Sequence, residues 1–362
     1  MHVEQVWLRD VRSYASATLE LDPGCTLVLG RNGQGKTNLV EALAFLGTLS
    51  SFRNVPSEAM VRTGAEHAVI RAQVRHADGR ELLVEVEVPR RGRVRAQVNR
   101  QRVHRTRDLL GVVRVSVFSP DDLELVKGGP AVRRGFLDDA LVARRPALDL
   151  VVSDVDRILR QRASLLRQMA GRLTPETELT LDVWDHKLAE AGDRLGRARA
   201  DLVAALQPLV DEAYRTLAGG GRVSLAYDPT WLAGGLGPAL SSARSDDLRR
   251  QSTGVGPHRD DLEITLDTQP ARTHASQGEQ RGIALALRLG AHRLVAEAIG
   301  EQPVLVLDDV FSELDARRSE ALVGALPPTQ VLLTTAGLLP PGLHVDRRVR
   351  IEQSTIVPDD QS

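Results

Sequence analysis

Residues 30–37 read GRNGQGKT, which sets two glycines, a lysine and a hydroxyl in the spacing G-x-x-x-x-G-K-S/T. Together those residue types do one kind of chemistry. Glycines let the backbone curl so that successive N–H groups and a helix N-terminus converge on phosphate oxygens, the lysine places a point charge at the β/γ-phosphates, and the threonine hydroxyl can ligate Mg²⁺. Gly30, Arg31, Asn32, Gly33, Gln34, Gly35, Lys36, Thr37 and Asn38 are therefore candidate contacts to ATP. Lys36 stands out further because Lys127 and Lys187 are the only other lysines in a chain whose basic residues are otherwise arginine.

A second set lies toward the other end. Residues 303–309 (PVLVLDD) form an apolar run ending in two carboxylates, the pattern of a central parallel strand that delivers acids to the ligand edge of a sheet. Asp308 would hold Mg²⁺, through water, and Asp309 would orient or deprotonate an attacking water. Ahead of that strand, Ser276, Gln277, Gly278 and Glu279 open a helical segment, with Ser276 placed as an N-cap and Gly278 permitting close approach to the helix start. Alone, this is an ordinary cap. Its order relative to Asp308, with Ser312 and Asp315 following as a D-loop, is that of ABC-type ATPases, in which the serine loop of one subunit closes on the γ-phosphate held by another. An ATP-dependent homodimer is expected.

These residues need a scaffold. Residues 26–29 read as a buried strand entering the loop, and Leu39, Ala42, Leu43 and Leu46 give the helix leaving it an apolar face. Residues 131–221 lack strand alternation. Within them Trp184, Leu188, Ala191, Leu195, Ala198, Leu202, Ala205 and Leu209 keep a heptad rhythm, and Leu148, Val152, Val155, Leu159, Leu166 and Met169 follow it with a break at Arg162. A polar link over residues 171–180, with Pro175 inside it, predicts an antiparallel hairpin with arms roughly 35 Å long. Glycine-rich stretches at 219–221 and 233–237 precede a return to strands near 223–227 and 262–266. The fold class is α/β: an ABC-type P-loop ATPase head built from both chain ends (residues 1–120 and 255–362), with an inserted helical second lobe (residues 121–254) containing the heptad hairpin.

Composition is that of a globular chain, with 42% hydrophobic and 26% charged residues. The opening residues show no basic stretch followed by an apolar core, and no later apolar run approaches a membrane span, so a cytoplasmic location without a membrane partner is expected. The single cysteine, Cys25, reads as a core residue. The net charge of -1 says nothing about a nucleic-acid partner, but its distribution does. Arg90, Arg91, Arg93, Arg95, Arg100, Arg102, Arg105 and Arg107 crowd one stretch, in which residues 93–98 alternate like a strand with one basic face and Asn99-Arg100 makes its turn. Two readings stand: contact with duplex phosphates, or a solvated edge face. With aromatics at 3%, a base-stacking platform for single strands is disfavoured.

With these residues in view, the chain resembles the RecF family of bacterial recombination-repair proteins along nearly its whole length. The segments that carry the resemblance are residues 30–41 (GRNGQGKTNLVE), 51–53 (SFR), 118–128 (FSPDDLELVKG), 133–138 (RRGFLD), 256–262 (GPHRDDL), 276–281 (SQGEQR) and 306–315 (VLDDVFSELD). The resemblance implies an ATP-dependent DNA-binding protein of repair and replication-fork maintenance that dimerises on ATP. It implies action at duplex, gapped or single-strand/double-strand junction DNA, and work with RecO and RecR to load RecA. It also suggests that Arg53 lies beside the nucleotide, and that residues 119–122 link the helical lobe to the ATP site. Asp309 in place of glutamate, and Thr335 where transporter ATPases carry histidine, predict a slow ATPase. The other classes weighed, a transporter energising subunit and a chromosome-tethering head, fit less well. The first lacks these segments, and the second needs much longer arms. The roles of His258 and Arg259 stay open.

Overall fold

A computed structural model describes residues 1–53, 55–169, 174–337 and 339–358. β1 (His2–Val11) and β2 (Tyr14–Glu20) form an antiparallel pair, after which β3 (Cys25–Leu29) runs into the glycine loop and α1 (Lys36–Thr48). Alternation of apolar residues, such as Ala68, Ile70, Ala72 and Val74, makes half-buried partners of β4 (His67–Arg75) and β5 (Glu81–Pro89). β6 (Arg95–Val98) and β7 (Gln101–Arg102) extend this sheet to its edge, joined by the expected two-residue turn, with Asn99 and Arg100 both at positive φ. β8 (Val115–Phe118) then enters a second sheet.

The middle of the chain is mostly helical. α2 (Glu124–Lys127), α3 (Pro130–Arg144), α4 (Asp149–Met169) and α5 (Pro175–Ala218) precede β9 (Val223–Ala226), α6 (Leu236–Arg250), β10 (Glu263–Leu266), β11 (Gln269–Pro270) and α7 (Ala271–His274). α4 and α5 form the expected antiparallel hairpin, with Arg162 facing Asp185 and with Leu166 and Met169 packed on Leu181. Pro175 starts the second helix instead of lying within the link, a position where its missing N–H costs nothing. Residues 170–173 of that link lie outside the described residues. The stripe buried on α5 shares Leu188, Leu195 and Leu202 with the expected heptad. Its alternate positions fall one residue later, at Asp185, Gly192, Arg199 and Leu206, and not at Trp184, Ala191, Ala198 and Ala205. Close approach explains the shift. A Cβ on Gly192 would stand 2.4 Å from Leu236, and one on Gly196 2.5 Å from the Trp231 ring. Arg162, the break in the α4 rhythm, is fully buried against Asp185, Asp247 and Thr253 at 2.6, 2.8 and 2.8 Å.

The chain returns through α8 (Gln277–Ile299), β12 (Val304–Asp308), α9 (Ala316–Ala325), β13 (Val331–Thr335), β14 (Arg347–Glu352) and β15 (Thr355–Pro358). The second sheet has the order β15-β14-β3-β13-β12-β8 and is parallel apart from β15. β12 and β13 are buried at every position, which is why β12 reads as an apolar run up to Asp308 and why Thr334 and Thr335, which end β13, are buried too. Only β13 separates the strand feeding the glycine loop from the strand ending in Asp308. α1 packs against strands of both six-stranded sheets and is therefore apolar nearly all round. Burial of Leu39, Leu43, Phe45 and Leu46 contributes roughly 1.5–3 kcal/mol each. One acid, Glu41, is buried with them.

The chain divides into two compact units: Met1–Leu123 with Leu209–Gly221 and Ser276–Ser362, and Glu124–Pro208 with Arg222–Ala275. The last turns of α5 group with the first unit because glycines of α8 admit their side chains. A Cβ on Gly290 would stand 2.8 Å from Val210, and one on Gly282 3.2 Å from the Tyr214 ring. Residues 255–275 group with the second unit, where β10 pairs with β9.

Candidate nucleotide-binding site

Gly30 follows β3 where the loop passes close to β14: a Cβ there would stand 2.7 Å from the Ile351 carbonyl oxygen. Gly33 and Gly35 adopt φ of 81° and 108°, which glycine takes without strain. Gly35 is the N-cap of α1 and no side chain caps the helix, so its first-turn N–H groups are left for a ligand. Other parts of the same unit hold the loop in shape. The Tyr14 hydroxyl donates to the Gly35 carbonyl at 3.0 Å, the Ser354 N–H donates to the Gln34 carbonyl at 3.0 Å, and the Gln353 N–H donates to Gln34 Oε1 at 2.5 Å. Arg31, Asn32 and Gly33 are exposed. A cleft of about 800 Å³ opens beside them, lined also by Thr335, Arg350 and Gln353.

Lys36 is only 6% exposed, and its ammonium donates to the Gly30 and Arg31 carbonyls at 2.7 and 3.2 Å. Burial pulls its pKa below the ordinary lysine value, with Asp309 and Asp308 opposing. Thr37 Oγ1 donates to Asp308 Oδ1 at 3.1 Å, and Thr334 Oγ1 donates to the same oxygen at 2.7 Å. Burial likewise raises the pKa of Asp308, against the stabilising hydrogen bonds of Thr334 and Thr37. Asp309 sits at φ 50°, its N–H shared between the Thr334 carbonyl and hydroxyl at 3.1 and 3.0 Å. A non-glycine residue in that region costs on the order of 1 kcal/mol, and such backbone persists where its surroundings hold it. Its Oδ1 is buried with no hydrogen-bond partner among the described residues.

These features fit Mg²⁺ and a nucleotide. Thr37 and Asp308 are hard oxygen donors, and the orphaned Asp309 oxygen and the uncapped helix start await polar partners. Among the described residues no group of three or more His, Cys, Asp or Glu could hold a metal, so an ion here draws its other ligands from phosphate and water, as Mg²⁺ does.

Asn38 donates to Ser13 Oγ at 2.9 Å, and Arg53 approaches Asn38 Oδ1 at 3.4 Å. Ser276 and Gln277 are exposed at the start of α8. Ser276 and Glu279 form a reciprocal capping box, and the hydrogen bonds from Ser276 hold the Glu279 carboxyl below its usual pKa. Arg318 lies over Gly278, where a Cβ would stand 2.6 Å from its guanidinium, and also pairs with Asp315 at 2.8 Å. Ser312 Oγ donates to the Asp309 carbonyl at 2.8 Å, and Asp315 caps α9. Thus Lys36, Thr37, Asp308 and Asp309 stand together, while the bonds of Ser276 and Glu279 are local to their own helix start.

Sequence reasoning flagged Thr335 and missed Thr334, whose register opposite Asp308 in β12 and β13 follows only from strand pairing. It also missed Tyr14, Arg12 and Glu41. For Glu41 the signal was available as an acid within an apolar helix.

The arginine-rich stretch is less uniformly basic than its alternation predicts. Arg90 donates to the Ala65 and Arg62 carbonyls, both at 2.9 Å, and Arg95 pairs with Glu87 at 2.9 Å. Arg93 precedes β6 and lies outside it. β5 supplies acids across the sheet, Glu85 to Arg71 as well as Glu87 to Arg95. Arg91, Arg93, Arg100, Arg102 and Arg105 are exposed, and Arg107 is half-buried.

Residues 2–335 match the family model "RecF/RecN/SMC N terminal domain". The chain is 46% identical to the DNA replication and repair protein RecF of Streptomyces avermitilis, over 98% of this chain and 99% of that protein. It is 43% identical to the protein of the same name from Acidothermus cellulolyticus, again over 98% and 99%. A solved structure of the recombination mediator protein RecF with ATP matches with a TM-score of 0.90 at 28% identity, covering 98% of this chain and 97% of that one. A Smc head domain derived from Pyrococcus furiosus, bound to the C-terminal domain of ScpA, shares the fold at a TM-score of 0.58 and 16% identity.

Proposed function

This chain belongs to the RecF family of DNA replication and repair proteins, which are ABC-type ATPases, and on that premise we propose that it is an ATP-driven dimer clamp on DNA in recombinational repair. One observation carries the reading. Asp309 is held in a costly backbone conformation with a buried, unpartnered carboxylate oxygen beside the Thr37–Asp308 pair. Such an oxygen has a use if it receives an attacking water.

In this reading residues 30–38 bind ATP, with Lys36 at the β/γ-phosphates and Arg53 beside them. Thr37 and Asp308 hold Mg²⁺, which supplies charge neutralisation on the phosphates when bound. Asp309 orients the water, and its short side chain together with Thr335 makes hydrolysis slow. Ser276, Gln277, Gly278 and Glu279 of one subunit close on the γ-phosphate of the other, with Ser312 and Asp315 at the same seam. The exposed arginines of residues 90–107 contact phosphates of duplex, gapped or junction DNA. RecR, with RecO, is the partner through which RecA is loaded, and the cytoplasm is the compartment. Among the described residues no helix is long and apolar enough to cross a membrane.

The test is assembly. Sedimentation at micromolar protein and saturating ATP should give a dimer for the wild type. Ser276→Arg should stay monomeric while binding ATP nearly as tightly. A wild-type monomer under those conditions would sink the clamp.

A further inference from the structure

One polar cluster of the head lies just behind the glycine loop. Glu41 is fully buried on α1, where its neighbours along the helix are apolar. Arg12, from the turn between β1 and β2, donates Nε to Oε2 at 2.8 Å and Nη2 to Oε1 at 2.5 Å. Ser51 Oγ donates to Oε1 as well. A second cation stands off from this knot. Arg53 Nη1 is 3.8 Å from Glu41 Oε2, and its side chain is 43% exposed. The Arg53 main chain is pinned nonetheless, its N–H donating to Ser51 Oγ at 3.1 Å.

The two arginines therefore meet the same carboxylate in different ways. Arg12 forms a bidentate pair, the strong and geometrically fixed kind. Arg53 lies beyond hydrogen-bond distance, so it feels the charge without being committed to it. Ser51 links the two arrangements, because its one oxygen donates to Glu41 and accepts from the Arg53 backbone. A guanidinium held this way has a fixed root, and its end makes one long hydrogen bond, from Nη1 to Asn38 Oδ1 at 3.4 Å.

We propose that Glu41 is a positioning residue for Arg53. Through Ser51 it fixes the backbone from which Arg53 springs, and by attraction it keeps the guanidinium near the loop, where Nη1 reaches Asn38 and the remaining donors are left for the phosphates of a bound nucleotide. Groups aimed in advance at developing charge need no reorganisation at the moment of reaction. The inference rests on the assignment of Arg53 to the nucleotide in the proposed function.

A double-mutant cycle on the full chain tests it, with ATP turnover, ATP affinity and thermal unfolding measured for each variant. Arg53→Gln should slow turnover by on the order of tenfold, with a smaller change in affinity. Glu41→Gln should slow it by roughly threefold or more, and the double variant should be no slower than Arg53→Gln alone to within about twofold. Removing Glu41 leaves Arg12 without its partner, so Ser51→Ala, which keeps that pair, runs the same cycle if Glu41→Gln does not fold. Effects that multiply in either cycle overturn the inference and leave Arg53 at the nucleotide. Wild-type turnover in Arg53→Gln removes that assignment, and the inference falls with it.

Discussion

The head and the helical lobe both bury charge, but they finish it differently. In the lobe, Arg199 pairs with both oxygens of Asp138 at 2.9 and 2.8 Å and donates to the Pro257 carbonyl at 2.7 Å. Arg133 does the same with Asp261, at 2.7 Å to each oxygen, and with the Gly128 carbonyl at 2.8 Å. Asp260 accepts from the Tyr227 hydroxyl at 2.6 Å and from Trp231 Nε1 at 2.8 Å. These groups are closed. In the head, Lys36 folds back on carbonyls of its own loop, Asp309 keeps an unpartnered oxygen, and Arg53 stands away from its acid. Burial alone therefore does not mark a functional charge, and neither does one open atom, since Arg162 Nη2 of the lobe is also buried without a hydrogen-bond partner among the described residues; in the head the open groups converge on the glycine loop.

The largest effect that this contrast predicts lies in the lobe. Arg162 joins α4 to Asp185 and Asp247, so Arg162→Ala leaves the buried Asp247 without its cation and Asp185 with Arg244 alone, and should cost about 3–5 kcal/mol of stability. Denaturant unfolding checks the loss, and ATP affinity of the folded protein should be unchanged. A stable Arg162→Ala protein would show that this buried cluster does not hold the lobe together.

In the head the expected losses move from stability to function. Asp309→Asn keeps the volume and removes the base, so ATP should still bind and the dimer accumulate, while turnover falls by on the order of 100-fold. Turnover at the wild-type rate would move the catalytic role elsewhere. Lys36→Ala removes charge-assisted contacts to phosphate worth about 1.5–3 kcal/mol, which is roughly 10- to 100-fold in ATP affinity by calorimetry. Its unfolding midpoint should change little, because the ammonium bonds only two carbonyls of its own loop. A large stability loss with unchanged affinity would place Lys36 with the lobe's arginines.

What was legible in the sequence follows the same division. The glycine loop, the Ser276 cap and the Asp308-Asp309 strand were readable because each is set by local spacing, and the structure forms each where the spacing put it. Thr334 and Tyr14 were not, since each reaches the site from another strand. The heptad was right at Leu188, Leu195 and Leu202 and one residue out between them. A hydrophobicity pattern cannot score glycines that admit a neighbour, or an arginine buried with its acid, as inward positions. The acids beside the basic strand were not legible for a related reason: Glu87 lies opposite Arg95 only once β5 and β6 are paired.

That last pairing carries the open-versus-closed distinction to the sheet edge, where the smallest effect is expected. Arg95 is exposed yet tied to Glu87, whereas Arg91 and Arg93 are exposed with no ion pair among the described residues. An exposed pair of this kind is weak, so Arg95 can turn toward DNA, but it brings an acid with it and its gain at a phosphate is partly offset. Each arginine that neutralises one phosphate contributes close to one unit to the slope of log affinity against log salt. Duplex binding with ATP present should thus show a slope shallower by about two units for Arg91→Gln with Arg93→Gln, and by less than about one unit for Arg95→Gln, with little dependence on base sequence. A slope shallower by a full unit for Arg95→Gln would mean that pairing with Glu87 does not hold Arg95 back. If neither variant alters the curve while ATPase and dimerisation are intact, this stretch is a solvated face and the DNA surface lies on other residues.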